Sequence, residues 1–143
     1  MYKNPGHTVI IIIENSDKLV LIRRNIEPYK GSIMFPGGFV EYGETVEHAA
    51  HRESMEESGA SIELIDILGI YSDPKRDPRG HNISTVFVAK MVSNKLKAGD
   101  DADEVYLLAP EEIDISKLGF DNPQIFKHYL LWKKQKGTYW SGK

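Results

Sequence analysis

The chain has 143 residues, which is enough for one domain with a hydrophobic core and short for two. Hydrophobic residues make up 41% of it and charged residues 27%, as is ordinary for a soluble globular protein. A formal charge of −3 offers no basic surface for a nucleic acid polymer, and zero cysteines exclude disulfides, thiolate catalysis and thiolate zinc sites. We therefore expect a single domain over residues 1–143.

The sequence predicts neither a membrane span nor a signal peptide. No apolar run approaches the roughly 18 residues that a membrane span needs, and the N-terminal MYKNPGHT lacks the apolar core of a signal peptide. The sequence thus predicts a cytoplasmic protein with neither a membrane nor a nucleic acid polymer as partner. The scattered histidines form no His-x-x-x-His pair, which disfavours a zinc hydrolase.

The N-terminal third predicts strands. The runs at 7–14 and 19–24 are apolar and rich in β-branched residues, and a turn at 15–18 would join them as a hairpin. The first run has no polar interruption, which predicts a strand buried on both faces. A short extended segment at 33–35 precedes Pro36-Gly37-Gly38, which we expect to turn the chain sharply and to let the backbone approach a ligand closely.

The stretch from Thr45 to Ser58 is predicted to be a helix, with Thr45 as N-cap and Gly59 as the terminating residue. At 100° per residue, its apolar stripe continues into the carboxylates of Glu53 and Glu57, with Glu56 close to them. Like charges one turn apart destabilise a helix, so we expect a positive group among them. Oxygen donors alone favour a hard divalent cation such as Mg²⁺, while a solvated glutamate cluster is the alternative.

The second half predicts further strands at 61–71, 83–91 and 105–108, a helical turn at 110–112, and a final helix that Asn122 would cap. The loop at 72–82 contains Arg76 and Arg79, which could clamp phosphates bidentately or could pair with neighbouring aspartates, Asp73 and Asp77. The aromatic tail at 137–143 would be loose or would be buried in a partner subunit. A homodimer is therefore a further expectation.

The spacing around the acidic helix resembles the Nudix box, the signature of hydrolases that cleave nucleoside diphosphates linked to another moiety. The matching residues are Gly38, Glu44, Arg52, Glu53, Glu56, Glu57 and Gly59. Ser54 and Ala60 depart from the pattern, because that family usually has bulky aliphatic residues at both sites. The resemblance implies the Nudix fold, an α/β/α sandwich with a mixed β-sheet.

The resemblance also implies roles for individual residues. Glu53 and Glu57 would hold Mg²⁺, with Mn²⁺ as the alternative, together with the carbonyl of Gly37. Glu56 would serve a further metal or its waters, and either Glu53 or Glu56 could act as general base. Arg52 would bridge to Glu44 and orient Glu53. The acidic cluster that ends the loop at 92–103 would add one more carboxylate ligand or base, from Glu104 or Asp101. Arg24 would contact a small-molecule nucleotide.

The loop also resembles one branch of that family. Asp77-Pro78-Arg79-Gly80-His81 before a strand, together with Pro74, is similar to the ADP-ribose pyrophosphatase branch, which yields AMP and ribose 5-phosphate. Two alternatives stay open. One is a nucleoside triphosphate pyrophosphohydrolase that removes oxidised nucleotides, and the other is a non-catalytic nucleotide-sensing Nudix domain.

Overall fold

The computed structural model describes residues 3–93, 95–99 and 102–143. Within these residues, eight strands form one mixed sheet and two α-helices pack against it. The elements, in chain order, are β1 (Gly6–Asn15), β2 (Lys18–Arg24), β3 (Ile33–Met34), β4 (Gly37–Phe39), α1 (Val46–Ser58), β5 (Ile62–Tyr71), β6 (Asn82–Met91), β7 (Ala102–Leu108), α2 (Asn122–Lys134) and β8 (Tyr139–Trp140). Short 3₁₀ turns at Pro110–Glu112 and Ile115–Lys117 precede α2.

The sheet is centred on β1. The main strand order is β3-β2-β1-β6-β5-β8, with β4 paired to β1 and β7 paired to β2. β1 and β6 run parallel along their whole length, while β5 is antiparallel to β6. Because β1 lies in the middle of the sheet, its residues from Thr8 to Ile13 are buried, as the uninterrupted apolar run predicted.

Alternate residues of β1 pack into two separate apolar layers. Val9, Ile11 and Ile13 contact Ala49 and Ala50 of α1 on one face of the sheet. On the other face, the remaining isoleucines of β1 contact Ile125, Phe126, Tyr129 and Trp132 of α2. The molecule is therefore an α/β/α sandwich with a mixed sheet, which confirms the predicted fold class. No helix in the described part of the chain is long and apolar enough to cross a membrane.

The caps of α1 agree with the prediction. Thr45 Oγ1 accepts a hydrogen bond of 3.1 Å from the backbone N–H of His48. Gly59 ends the helix with a φ of 76°, in the left-handed region that glycine enters without a steric penalty.

Both departures from the family pattern lie in the core, since Ser54 and Ala60 are fully buried. Ser54 Oγ has no hydrogen-bond partner among the described residues.

The predicted hairpin of β1 and β2 is confirmed, with antiparallel pairing at Glu14 and Asn15, and β2 pairs further with β3 and β7. Two other predictions about strands need correction. Gly37 and Gly38 do not turn the chain but lie in β4, opposite Ile10 and Val9. β7 begins at Ala102, so that residues expected in a loop belong to a strand.

Two predictions near the C-terminus are also wrong. The N-cap of α2 is Asp121, one residue earlier than predicted, and Asn122 instead accepts a hydrogen bond from the backbone N–H of Phe35 at 3.0 Å. The tail is not loose, because β8 pairs in parallel with β5 at the sheet edge. Tyr139 is buried in the core of its own chain and needs no partner subunit for this, while Trp140 is half exposed.

Candidate active site

A cleft of about 400 Å³ lies where α1 meets β4, beside the loop between β5 and β6 and the start of α2. It collects most of the residues that the sequence singled out. The predicted residues that line it are Arg24, Gly37, Arg52, Glu53, Glu56, Glu57, Arg76 and Arg79. Of the other predicted residues, Glu44 does not line the cleft but binds Arg52, which does. Glu104 does not line it either.

The carboxylates of α1 differ in their exposure. Glu53 and Glu57 are 7% and 8% exposed and lie one helical turn apart on the face towards the cleft, whereas Glu56 is exposed. Gly38 makes room for the first of them: a Cβ on Gly38 would lie 2.4 Å from Cδ of Glu53. A glycine in β4 therefore allows a buried carboxylate to reach the cleft floor.

Arg52 supplies the positive charge that the acidic stripe requires. Its Nη1 donates to Oε1 of Glu53 at 2.7 Å and to Oε2 of Glu56 at 3.0 Å. Its Nε and Nη2 bind the two carboxylate oxygens of Glu44 at 2.8 and 2.9 Å, which is the predicted contact. Nη2 also donates to the carbonyl of Phe39 at 2.9 Å. The guanidinium thus joins α1, β4 and the loop between them.

The Glu44 carboxylate is held charged by this arrangement. Hydrogen bonds from Arg52 are the largest influence and keep the pKa of Glu44 well below its ordinary value, and His48 Nδ1, 2.6 Å away, adds to the effect. The same contact raises the pKa of Arg52. At neutral pH the pair is therefore fully ionised and rigid, as suits a support for Glu53.

The donor set fits a hard divalent cation. Two buried carboxylates one turn apart line the cleft, and the carboxylate of Glu53 occupies the space that a side chain at Gly38 would take. In the described residues, no three His, Asp or Glu side chains are already gathered as a metal site. Arg52 Nη1 lies against Glu53 and Glu56 instead. The roles of Gly37, Glu53, Glu56 and Glu57 as ligands stay predictions.

The structure does not bring Glu104 to these carboxylates. Glu104 lies in β7 directly opposite Arg23. The next residue, Val105, packs on the α1 side of the sheet, and neighbouring side chains in a strand point to opposite faces. It therefore faces the α2 side of the sheet, where Tyr106 Oη donates to it and Arg23 lies 3.6 Å away. Strand alternation thus places Glu104 on the wrong face for a ligand shared with α1. The other candidate, Asp101, lies outside the described residues.

The two arginines of the loop between β5 and β6 are both ion-paired. Arg76 binds Asp121 bidentately at 2.7 and 2.8 Å. Asp121 is distant in sequence, whereas the sequence analysis considered pairing with the neighbouring Asp73. Arg79 binds Asp77 at 2.8 Å, as the structural alternative predicted. The Arg76 side chain is 6% exposed and that of Arg79 is 39% exposed. Arg79 is therefore the one with freedom to reach a ligand.

Asp77 fixes this loop against the sheet. Besides Arg79, it accepts a hydrogen bond of 2.8 Å from Nδ2 of Asn82 at the start of β6. Burial acts to raise its pKa, but the hydrogen bonds from Arg79 and Asn82 together outweigh burial and lower the pKa to about 2. Asp77 is thus a buried, fully charged anchor in the cleft wall.

Arg24, at the end of β2, is buried as well. Its Nε donates to the carbonyl of Pro28 at 2.6 Å, and its Cζ lies 5.2 Å from the ring centroid of Phe120. Because Arg23 projects to the opposite face and pairs with Asp103, the predicted alternation of the two arginines is confirmed. Arg24 lines the cleft, where its contact with a nucleotide stays a prediction.

The cleft also contains residues that the sequence analysis did not single out, above all Phe39 and Phe120. Phe39 follows Gly37-Gly38 directly, and Phe120 stands in the turn-rich segment Gly119-Phe120-Asp121-Asn122-Pro123. An aromatic residue beside glycine or in a turn is a detectable signal, because such positions seldom bury a large ring. Both rings lie within 5.4 Å of Cζ of Arg79, a proximity that neither segment alone predicts.

The sequence of the chain is similar to those of known proteins. The sequence model of the NUDIX domain matches residues 4–129. An ADP-ribose pyrophosphatase from Methanocaldococcus jannaschii is 47% identical over 133 residues, which cover 93% of this chain and 78% of that protein.

Solved structures show the same architecture. The crystal structure of a NUDIX hydrolase from Nitrosomonas europaea superposes with a TM-score of 0.88 at 29% identity, covering 98% of this chain and 79% of that one. A bifunctional NMN adenylyltransferase/ADP ribose pyrophosphatase from Francisella tularensis, complexed with AMP and a Mn ion, gives a TM-score of 0.78 at 26% identity, with 95% and 43% covered. By sequence, fold and the arrangement of its acidic helix, the chain belongs to the Nudix hydrolase family.

Proposed function

We propose that this Nudix protein hydrolyses the pyrophosphate bond of ADP-ribose to AMP and ribose 5-phosphate, with Mg²⁺ as the cation and Mn²⁺ as a substitute. The observation that supports this most is the cleft itself, which places the buried carboxylates of α1 and the cleft-facing arginines around one space. The substrate is suggested by the relative from Methanocaldococcus jannaschii, whose name states that activity.

In this proposal, Glu53 and Glu57 hold the cation together with the carbonyl of Gly37. Bound there, a divalent cation supplies Lewis-acid polarisation of the phosphoryl oxygens and a lowered pKa of coordinated water. Arg52 keeps the carboxylate of Glu53 in place, and Glu44 keeps Arg52 in place through two charge-assisted hydrogen bonds. Precise placement matters here, because catalysis of phosphoryl transfer rests on positioning and charge stabilisation.

The remaining residues act on the proton and on the substrate. Glu56, the exposed one of the three α1 carboxylates that line the cleft, takes the proton of the attacking water as that water bonds to phosphorus. Breaking the bridging P–O bond then releases the two monophosphates. Arg79, whose side chain is partly exposed beside the cleft, turns from Asp77 to the diphosphate oxygens and offsets their charge. Arg76 supports the loop through Asp121.

The experiment measures AMP and ribose 5-phosphate released from ADP-ribose, with Mg²⁺ and with excess EDTA. A nucleoside triphosphate runs in parallel. We expect release with Mg²⁺, none with EDTA, and a lower kcat/KM for the triphosphate. In Glu57→Gln, kcat should fall by about two orders of magnitude or more, because neutralising a metal-binding carboxylate removes charge stabilisation of the transition state.

Glu47→Gln is the matched control, since Glu47 lies exposed in the first turn of the same helix and does not line the cleft. It removes the same charge and should keep wild-type turnover. No AMP release in Mg²⁺, or undiminished turnover in Glu57→Gln, would contradict the proposal. A preference for the triphosphate would replace the substrate while leaving the chemistry intact, and tight binding of ADP-ribose without turnover would indicate a sensor.

A further inference from the structure

The tail at 137–143 lies in a place on the sheet that is shaped for it. β8 pairs with β5 at Gly69 and Ile70, and a Cβ on Gly69 would collide with the carbonyl oxygen of Tyr139. The ring of Tyr139 stacks on that of His128 in α2, with centroids 4.9 Å apart. Because only a glycine leaves room for this approach, the edge of the sheet holds the tail in one narrow position.

Ser141 follows β8 directly and joins the tail to the loop between β5 and β6. Its Oγ accepts hydrogen bonds from the backbone N–H groups of Ser72 at 3.0 Å and of Asp73 at 3.2 Å. Its carbonyl accepts a hydrogen bond from Nε2 of Gln124 in α2 at 2.7 Å. One residue of the tail thus connects the first two residues of the loop to α2.

The same two loop residues bind other parts of the loop through their carbonyl groups. Nε2 of His81, the last residue of the loop, donates to the carbonyl of Ser72 at 2.9 Å. The backbone N–H of Arg76 donates to the carbonyl of Asp73 at 3.1 Å. Ser141 is therefore connected to the end and to the middle of the loop through one intervening residue in each case.

Most of this loop has little burial to fix it. Residues 72–75 and 78–81 are exposed, whereas Ser141 is partly buried and follows a strand that is paired with the sheet. An exposed segment gains little from apolar packing, so its conformation depends on hydrogen bonds to groups that do not move. The hydroxyl of Ser141 is such a group, and the loop is attached to it.

We propose that Ser141 is a positioning residue for the reaction, because it holds the loop between β5 and β6 in the conformation that presents Arg79 to the diphosphate. The inference rests on the proposed hydrolysis, in which Arg79 offsets the charge of the diphosphate oxygens. Ser141 does not line the cleft, so its effect on the substrate passes through the loop.

This arrangement predicts which kinetic constant Ser141 controls. A loop released from Ser141 samples conformations in which Arg79 is turned away from the cleft. The substrate then binds only the fraction of molecules whose loop is in place, and the apparent affinity falls by that fraction. Once formed, the complex has an ordered loop and reacts as in the wild type. Loss of the hydroxyl should therefore raise KM and leave kcat nearly unchanged.

The test measures kcat and KM for ADP-ribose in Mg²⁺. In Ser141→Ala, KM should rise about three- to tenfold, the fold-change that corresponds to the net contribution of one hydrogen bond. Ser141→Thr keeps a hydroxyl at this position and should restore the KM of the wild type. In an Arg79→Ala background, Ser141→Ala should raise KM by less than about twofold further, because the two residues act through one contact with the substrate.

Ser93→Ala is the matched control. Oγ of Ser93 accepts a hydrogen bond of 3.0 Å from the backbone N–H of Ser61, at the opposite end of the paired strands β5 and β6, and Ser93 does not line the cleft. Both alanine variants lose a hydroxyl that binds the backbone, so both should lower the melting temperature slightly. Only Ser141→Ala should raise KM.

Amide hydrogen exchange of the loop gives a measurement that needs no turnover. The amides of residues 72–81 should exchange faster in Ser141→Ala than in the wild type, and Ser93→Ala should leave them unchanged. The inference is overturned if Ser141→Ala leaves either KM or loop exchange unchanged, or if it raises KM equally with and without Arg79. Failure of the wild type to cleave ADP-ribose would instead contradict the proposed hydrolysis, and loop exchange would still decide whether Ser141 holds the loop.

Discussion

At the scale of single residues, Gly38 determines where the carboxylate of Glu53 can lie. A Cβ in this position would lie 2.4 Å from Cδ of Glu53, which is the far end of a flexible side chain. In Gly38→Ala we expect the carboxylate to rotate away, because the strand backbone is the stiffer of the two groups. A displacement of about 1 Å is enough to lower kcat by about 100-fold, while the melting temperature changes little.

Gly43→Ala is the control for this substitution. Gly43 lies in the loop between β4 and α1 with a φ of 81°, and a Cβ there would meet no heavy atom within 4 Å. The substitution introduces backbone strain without a clash, so it should lower the melting temperature and leave kcat near the wild-type value. The steric account of Gly38 fails if Gly38→Ala keeps full activity, or if both variants lose activity to the same degree.

Asp77 gives a prediction for pH. Its pKa in the folded protein is lowered from 3.8 to about 2, so the folded state binds its proton less readily than the unfolded state does. The stability from this carboxylate is present above the unfolded pKa and is lost as the pH falls towards 2. Chemical denaturation at pH 7 should show Asp77→Asn to be less stable than the wild type, and the difference should shrink between about pH 4 and pH 2.

Asp73→Asn is the matched control, because Asp73 is an exposed aspartate in the same loop whose contact is with the backbone of Lys75. It removes an equal charge and should leave the stability at pH 7 close to that of the wild type. A constant difference between Asp77→Asn and the wild type across this range would mean that Asp77 stabilises the loop without its charge.

At the scale of elements, the Arg76–Asp121 pair joins the loop between β5 and β6 to the start of α2. The two side chains are 6% and 14% exposed and are bound bidentately. Removing one partner leaves a poorly solvated charge, so Arg76→Ala should lower the free energy of unfolding by about 2 to 3 kcal/mol. A double-mutant cycle with Asp121→Ala should show a coupling of about 1 to 3 kcal/mol in denaturant titrations.

Arg79 and Asp77 supply the comparison for that cycle. Their pair lies within one loop, and the arginine side chain is 39% exposed, so solvent screens part of the attraction. The coupling between these two residues should therefore be smaller than that between Arg76 and Asp121. Equal couplings would show that burial does not set the strength of these pairs.

The elements that the sequence predicted correctly are those whose determinants are local. Thr45 and Gly59 bound α1 through contacts within one turn, and β1 is marked by its own apolar run. The pairing of β8 with β5 and the position of Gly37 in β4 depend on partners far away in the sequence, which periodicity does not encode.

The candidate site divides in the same way. The carboxylates of α1 and the pair between Arg79 and Asp77 follow from spacings of a few residues, so the sequence was sufficient to identify them. Arg76 meets Asp121, and the rings of Phe39 and Phe120 meet the guanidinium of Arg79, only after the chain has folded. The sequence analysis expected Glu104 near the α1 carboxylates. This was wrong because the face of the sheet on which its side chain lies depends on the register of β7 against β2. The homodimer stays a prediction.

At the scale of the whole molecule, the cation should stabilise the fold, because it relieves repulsion between carboxylates that folding brings together. A ligand that binds only the folded state at about 100 times its Kd adds about 2.7 kcal/mol. For a chain of this size that corresponds to a rise in melting temperature of about 5 to 10 °C. Thermal melts with saturating Mg²⁺ should show this rise, and EDTA should reverse it.

Glu57→Gln should lose most of the rise and Glu47→Gln should keep it, since Glu57 is buried at the cleft and Glu47 is exposed outside it. A rise of the same size in both variants would mean that Mg²⁺ acts elsewhere on the protein and that the acidic face of α1 does not bind it.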